Sequence, residues 1–428
     1  MNKQMKDIVI VGFALFSMFF GAGNLLFPPY LGMESGQSWI VPVIAFVLAD
    51  AGISLLVLIA SARHQGRLEE TLDRAGKTLA RVIGIVAIGC LGFIVIPRTA
   101  ATTYEMGILP IIGNFGMVGR VGVSVVFFIL TLALTISGSK VIDIIGKFLT
   151  PALLIVLFIL IIKGIVSPIA APSPDTMVDT NLFALGFTSG YQTMDALGAA
   201  SMATIMILSL TDKGYTDEKE KTKMTIKSGI VACFFLTLVY GGLAYLGATV
   251  STKYGLDVEQ SSLLVNITSM IFGYGGNVLL GIIVSLACLT TSIGITAVVA
   301  NYFSGITKIK YEHYVIGICI FGALFANVGV SVILQIAGPI LSLIYPVLLV
   351  IVLMRLAGKY IPNDNAFKGA AYATIFVSAC NVLTGYMPVF GFINVLPLSA
   401  SGFNWILPAV ICGIIGSFIR SGRVKAEN

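Results

Sequence analysis

The stretch FFGAGNLLFPPY, Phe19 to Tyr30, lies in the first long apolar run of the chain, where an unbroken membrane helix is expected. Two glycines, an asparagine and two prolines crowd it. In hydrocarbon an unpaired backbone N–H or C=O costs several kcal/mol, so a helix breaks only where protein or a water-filled cavity surrounds it. Gly21, Ala22, Gly23 and Asn24 permit unwinding. Pro28 and Pro29 have no N–H, and Pro28 restricts Phe27 before it. Carbonyls freed by such a break suit a cation, and the N–H groups that open the next half-helix suit an anion.

A second interruption comes five spans later, in FTSGYQTMDALGAAS, Phe187 to Ser201. Ser189, Gly190, Tyr191, Gln192 and Thr193 break the apolar run, and Asp195 comes just after them. Breaks in the first and sixth spans are what an inverted repeat of five helices predicts, with a midplane site between the halves. Small-residue helix contacts of the GxxxG kind are the alternative. Asn24, Gln192 and Asp195 weigh against it, because such side chains are costly in lipid for packing alone. A third polar cluster, SLACLTTSIG (Ser285–Gly294), sits mid-helix in the eighth span. Thr290, Thr291 and Ser292 cannot all face one way. Their hydroxyls either bond back to carbonyls one turn earlier or complete a cation site with oxygens of the first span.

The rest of the chain agrees with a membrane setting. Of 428 residues 57% are hydrophobic and 11% charged, against roughly 25% charged in a soluble domain. This composition excludes a soluble globule and predicts an all-α polytopic protein. Runs of about 20 apolar residues place twelve spans at 8–33, 39–61, 79–111, 121–138, 145–166, 181–210, 225–250, 275–304, 314–328, 331–356, 367–387 and 404–420. Of the 26 Lys and Arg, only Arg120, Lys163 and Lys253 fall on one side; Arg98 lies within a span and the others share the opposite side. By the positive-inside rule both termini are cytoplasmic. The net charge of +6 is therefore topological, and no nucleic-acid partner is expected.

Lys3 and Lys6 precede the first run as in a signal peptide, but no cleavage site comes after it, so the first helix is expected to be retained. The proline-rich link Ser167–Asp175 reads as extended, and Glu259–Phe272 as an outer helix lying over the bundle. All six cysteines lie in apolar runs and pack as small hydrophobes. His64 and His313 lie in charged loops, which leaves neither a metal cluster nor a Ser-His-Asp arrangement. An enzyme is not expected.

Four charges fall inside spans: Asp50, Arg98, Glu105 and Asp195. Each is a candidate for gating the pathway or for structure. Arg98 and Glu105, two helical turns apart, should share a face. Asp195 either receives a substrate ammonium or caps the half-helix after it. Asp50 has no evident partner.

Three motifs together, FFGAGNLLFPP, PRTAATTYEMG (Pro97–Gly107) and CLTTSIG (Cys288–Gly294), resemble the branched-chain amino acid carriers of bacteria, the cation-coupled BrnQ type. The likeness runs the length of the chain. It implies a LeuT-like fold of two inverted five-helix repeats with broken helices 1 and 6. On this reading 8–166 and 181–356 are the repeats, and 367–420 holds two additional helices, all in one membrane domain of 1–428. The resemblance implies substrate contacts from Gly21, Ala22, Gly23 and Asn24, and from Ser189, Gly190, Tyr191, Gln192 and Thr193. It implies a sodium site from the carbonyls of Ser17, Phe20 and Ala287 with Thr290 and Thr291, Ser292 being an alternative register. The sequence departs from the wider fold in having Pro28 and no arginine just after the first break, which puts an outer gate built on that arginine in doubt.

The function so implied is symport of leucine, isoleucine and valine across a bacterial inner membrane, with sodium as coupling ion and no other cofactor. Protons are an alternative, carried by Asp50, Glu105 or Asp195. Phe20, Phe187 and Ile293 are candidate walls for the aliphatic side chain. A same-fold carrier of another small solute such as a nucleobase, or a channel, is a competing reading. No obligate protein partner is evident.

Overall fold

The computed structural model describes residues 3–63, 68–136, 145–361 and 363–419. Among these residues, nine unbroken helices are long and apolar enough to cross a membrane. Two further helix pairs become spans when joined across bends of 71° (Lys3–Phe19 with Ala22–Ser38) and 47° (Leu182–Tyr191 with Asp195–Asp212). A twelfth apolar helix, Ile406–Phe418, has 13 residues, too few to span the hydrocarbon upright. The spans predicted at 121–138 and 404–420 run in part into residues outside the described ones.

The unbroken spans are Ile40–Ala62, Lys77–Ile112, Gly116–Thr135, Ile145–Val166, Glu218–Ala248, Tyr274–Ile306, Tyr311–Val328, Val330–Leu356 and Asp364–Thr384. In order they are the second to fifth and seventh to eleventh spans. The expected outer helix forms at Gln260–Phe272. Burial grades them by position: 67% of the eighth span's apolar window is buried, against 22% of the fourth and of the ninth. The eighth span is therefore a central post, and the fourth and ninth present residues such as Val118, Val126, Ile129 and Leu324 outward, as lipid contact requires.

Small residues set the closest crossings. Gly32 of the first span lies against the backbone of Ala244, and Gly247 of the seventh against that of Pro29. A Cβ at either would collide with a carbonyl, so these glycines let two backbones touch. Gly186 meets Pro42 in the same way and joins the sixth span to the second.

Among the described residues four stretches within spans wind as π-helix: Leu48–Gly52 in the second span, Leu91–Val95 and Thr103–Ile108 in the third, and Ile145–Leu149 at the start of the fifth. Each widens the turn and rotates the residues C-terminal to it about the helix axis. Arg98 and Glu105 lie on either side of the start of Thr103–Ile108, and they do not share a face as their spacing predicts. Arg98 points to the sixth-span break, whereas Glu105 accepts from the Val330 amide at the start of the tenth span.

Candidate transport site

The first break is narrower than expected. The leading half-helix ends at Phe19, and the next begins at Ala22. Gly23, Asn24, Pro28 and Pro29 are already helical, so the prolines do not make the bend. The cause is local. Asn24 Oδ1, one turn into the new helix, accepts from the Gly21 amide at 3.1 Å and so caps the helix at its start.

The sixth-span break is also displaced. Ser189, Gly190 and Tyr191 remain helical; Gln192, Thr193 and Met194 form the interruption. Met194 has φ 71°, a left-handed conformation without glycine's freedom, which costs on the order of 1–3 kcal/mol and persists only where its surroundings enforce it. Three contacts do so. Thr193 Oγ1 donates to Gly190 O at 2.8 Å, Arg98 Nη1 donates to Gln192 O at 2.8 Å, and Arg98 Nη2 donates to Thr193 O at 3.2 Å.

The two breaks meet over a buried acid cluster. Asn24 Nδ2 reaches Asp195 Oδ2 at 3.0 Å and Asp50 Oδ2 at 3.3 Å, and also donates to Tyr240 Oη. Tyr240 in turn donates to Asp50 Oδ2, and Thr193 Oγ1 to Asp50 Oδ1 at 2.8 Å. One amide with two hydrogens thus faces three acceptors. The first, second, sixth and seventh spans each contribute a side chain. Asp50 finds here the partners that the sequence did not supply, because Tyr240 lies 190 residues away and reads as one aromatic among many. Asp195 does not cap its helix. The Ala196 amide instead donates to Tyr345 Oη at 3.3 Å, and Tyr345 packs on Tyr191 with ring centroids 4.5 Å apart.

Across from this cluster, the eighth span meets the end of the leading half-helix. Thr291 Oγ1 donates to Ser17 O at 2.8 Å and to Phe20 O at 3.1 Å. Thr290 Oγ1 lies 3.4 Å from Ser17 O and donates back to Leu286 O and Ala287 O. The set gathers carbonyl and hydroxyl oxygens, the donors that a hard cation takes, and Thr290 makes the expected bonds back to carbonyls one turn earlier. Ser292 lies on another side, where it accepts from Thr131 at 3.3 Å, so the alternative register does not join these carbonyls. Phe20 and Ile293 are buried near the breaks. Phe187 instead packs on Tyr191 and Phe403 and lines an apolar groove of about 770 Å³ shared with the tenth to twelfth spans.

Two cavities lie toward opposite ends of the sixth span. One of about 1250 Å³ is lined by Lys77, Arg81, Ser201, Thr204, Asn301 and Tyr302. The other, about 370 Å³, is lined by Phe27, Glu34, Ser189, Gln192 and Gln335. The sites expected at Gly190 and Gly21 serve as close contacts. Gly190 lies against Ala49 and Asp50, and Gly21 against Thr291.

Residues 4–423 match the model of the branched-chain amino acid transport protein family. The chain belongs to that family. Among its curated relatives, two provisionally named branched-chain amino acid carrier proteins of Staphylococcus aureus, from strains USA300 and MRSA252, are each 34% identical over 444 aligned positions. In both cases 99% of each chain is covered. Solved transporters share the architecture of this family member at low identity. A Na+-coupled sialic acid symporter in a substrate-bound outward-open state aligns with TM-score 0.63 and 14% identity over 98% of this chain and 91% of its own. MhsT in complex with L-phenylalanine gives 0.59 and 16% over 95% and 96%. Mhp1, a nucleobase-cation-symport-1 family transporter in a closed conformation with bromovinylhydantoin bound, gives 0.58 and 12% over 96% and 91%. These likenesses establish the LeuT-like fold. The chain is a multi-pass membrane protein of that fold, in a transporter family.

Proposed function

We propose that this carrier moves leucine, isoleucine and valine into the cell by alternating access, in symport with sodium, and that it catalyses no chemical conversion. The observation that carries the reading is the meeting of two broken helices at a buried, charged centre, with a cavity reaching Gln192 of the second break on one side. A zwitterion stripped of water needs such a centre: N–H donors for its carboxylate, acceptors for its ammonium and apolar walls for its branched side chain. A buried methylene separates substrates by only about 1–3 kcal/mol, so the three aliphatic amino acids should compete.

The oxygens of Ser17, Phe20, Ala287, Thr290 and Thr291 would hold sodium, which supplies a positive charge tying the first span to the eighth. The first to fifth and sixth to tenth spans would be the two inverted repeats (8–166 and 181–356), with 367–420 appended. Both termini would face the cytoplasm of a bacterial inner membrane, without an obligate protein partner. Asp50 and Asp195, held by one amide, give proton coupling specific support as the second reading. Counterflow of labelled leucine in proteoliposomes, with and without a sodium gradient, tests both. Exchange that needs sodium supports the first reading; exchange driven equally by a proton gradient alone supports the second. Current without leucine would mark a channel.

A further inference from the structure

Arg98 is a buried cation without an anion beside it among the described residues. It is 1% exposed, in the middle of the third span. Of its five N–H donors, Nη1 and Nη2 each hold a carbonyl of the sixth-span break, while Nε is buried with no acceptor. Among the described residues no carboxylate lies within 4.0 Å of the guanidinium. Asp195 acts on it only through space. Taking a guanidinium out of water without a counter-charge is costly, and an ionisable group inside a membrane span is a candidate for a substrate or ion pathway.

Its position says which anion. A Cβ on Gly23 would lie 3.1 Å from Arg98 Nη2 and 3.4 Å from Cζ. The guanidinium therefore rests against the first turn of the 14-residue half-helix Ala22–Ser35. That turn has backbone N–H groups with no helical partner, and the Asn24 side chain takes only the amide of Gly21. A helix N-terminus and a half-satisfied arginine share one spot, and both favour a carboxylate.

We propose that Arg98 is the receptor for the carboxylate of the transported amino acid, shared with the first turn of the half-helix that starts at Ala22. Arg98 places its positive charge on the carbonyls of Gln192 and Thr193, which repels an ammonium there and leaves it to the Asp195 side. Arg98 also ties the third span to the sixth-span break, so an arriving carboxylate competes for the guanidinium that sets that break. The assignment deepens the reading of the chain as an amino-acid carrier and rests on it.

The test crosses a variant with a ligand analogue. Leucinamide keeps the ammonium and side chain of leucine but has no carboxylate. Binding of each to purified wild type, Arg98→Gln and Arg98→Lys is measured by displacement of labelled leucine or by calorimetry. Wild type should prefer leucine strongly. Arg98→Gln should weaken leucine about 10- to 100-fold more than it weakens leucinamide, as expected for a lost charge-assisted hydrogen bond, so that the preference collapses. Arg98→Lys should fall between them. Equal losses for both ligands, or a preference that survives in Arg98→Gln, would overturn the assignment while the carrier reading stands. If wild type binds no leucine, the carrier reading itself falls and takes the assignment with it. Should Arg98→Gln fail to fold, Gly23→Ala, which presses on Nη2, decides: a reduced preference supports the role, and an unchanged one in a folded protein refutes it.

Discussion

Removing the Thr291 hydroxyl is the sharpest single perturbation of the proposed ion site. Its oxygen lies 2.8 Å from Ser17 O and 3.1 Å from Phe20 O, the carbonyls bared at the first break. Thr290 Oγ1 is 3.4 Å from Ser17 O and is already committed to Leu286 O at 2.8 Å. Ser292 turns toward Thr131. The three hydroxyls should therefore be graded. An oxygen withdrawn from a buried cation is comparable to a hydrogen bond lost to a charged group, about 1.5–3 kcal/mol. Thr291→Ala should raise the sodium concentration for half-maximal leucine exchange roughly 10- to 150-fold. Thr290→Ala should raise it about two- to threefold, matching the low end for a neutral hydrogen bond, and Ser292→Ala should not move it. The assay is sodium-dependent counterflow of labelled leucine in proteoliposomes, with the leucine-to-valine preference recorded as a control that should stay constant. A full sodium response in both threonine variants would remove the site.

Other perturbations probe the scaffold around it. Gly32→Ala and Gly247→Ala each drive a methyl into a facing backbone carbonyl, so each should cost about 1–3 kcal/mol or more, read as a lower melting temperature in detergent. Asp50→Ala leaves the Tyr240 hydroxyl without an acceptor and takes one acceptor of several from Thr193 and Asn24, so it should cost about 1.5–3 kcal/mol, with loss of leucine exchange; Tyr240→Phe, which removes a single donor, should cost clearly less by the same thermal assay. Glu105 accepts from the Val330 amide, away from both breaks, so Glu105→Gln, which keeps an acceptor oxygen, should leave exchange and its sodium dependence intact. A selective loss of transport there would restore Glu105 as a gate.

Much of the fold was legible because hydrocarbon tolerates so little. Runs of apolar residues set the spans, and Gly21, Asn24 and Gln192 marked where a helix had to be interrupted inside the protein. The limits of the breaks were less legible. Pro28 and Pro29 look like helix breakers but continue a helix that Asn24 has already capped, and Ser189 to Tyr191 stay wound because the strain falls on Met194. The π-helical turns were invisible to a fixed period of 3.6, so the phase of Arg98 against Glu105 was misjudged. At the proposed ion site Ala287, Thr290 and Thr291 came from the family resemblance, because the hydroxyl triplet by itself is equally compatible with bonds back to carbonyls one turn earlier. Partners of Asp50 depended on which spans become neighbours, and no local pattern encodes the approach of Tyr240.

The most direct test is a density map of the carrier in a lipid nanodisc with saturating leucine and sodium. Leucine should lie where the two breaks meet, its carboxylate between Arg98 and the turn at Gly23, with an ion between Ser17, Phe20 and Thr291. Leucine bound elsewhere, such as in the apolar groove beside Phe187, with both breaks unchanged and vacant, would contradict the account.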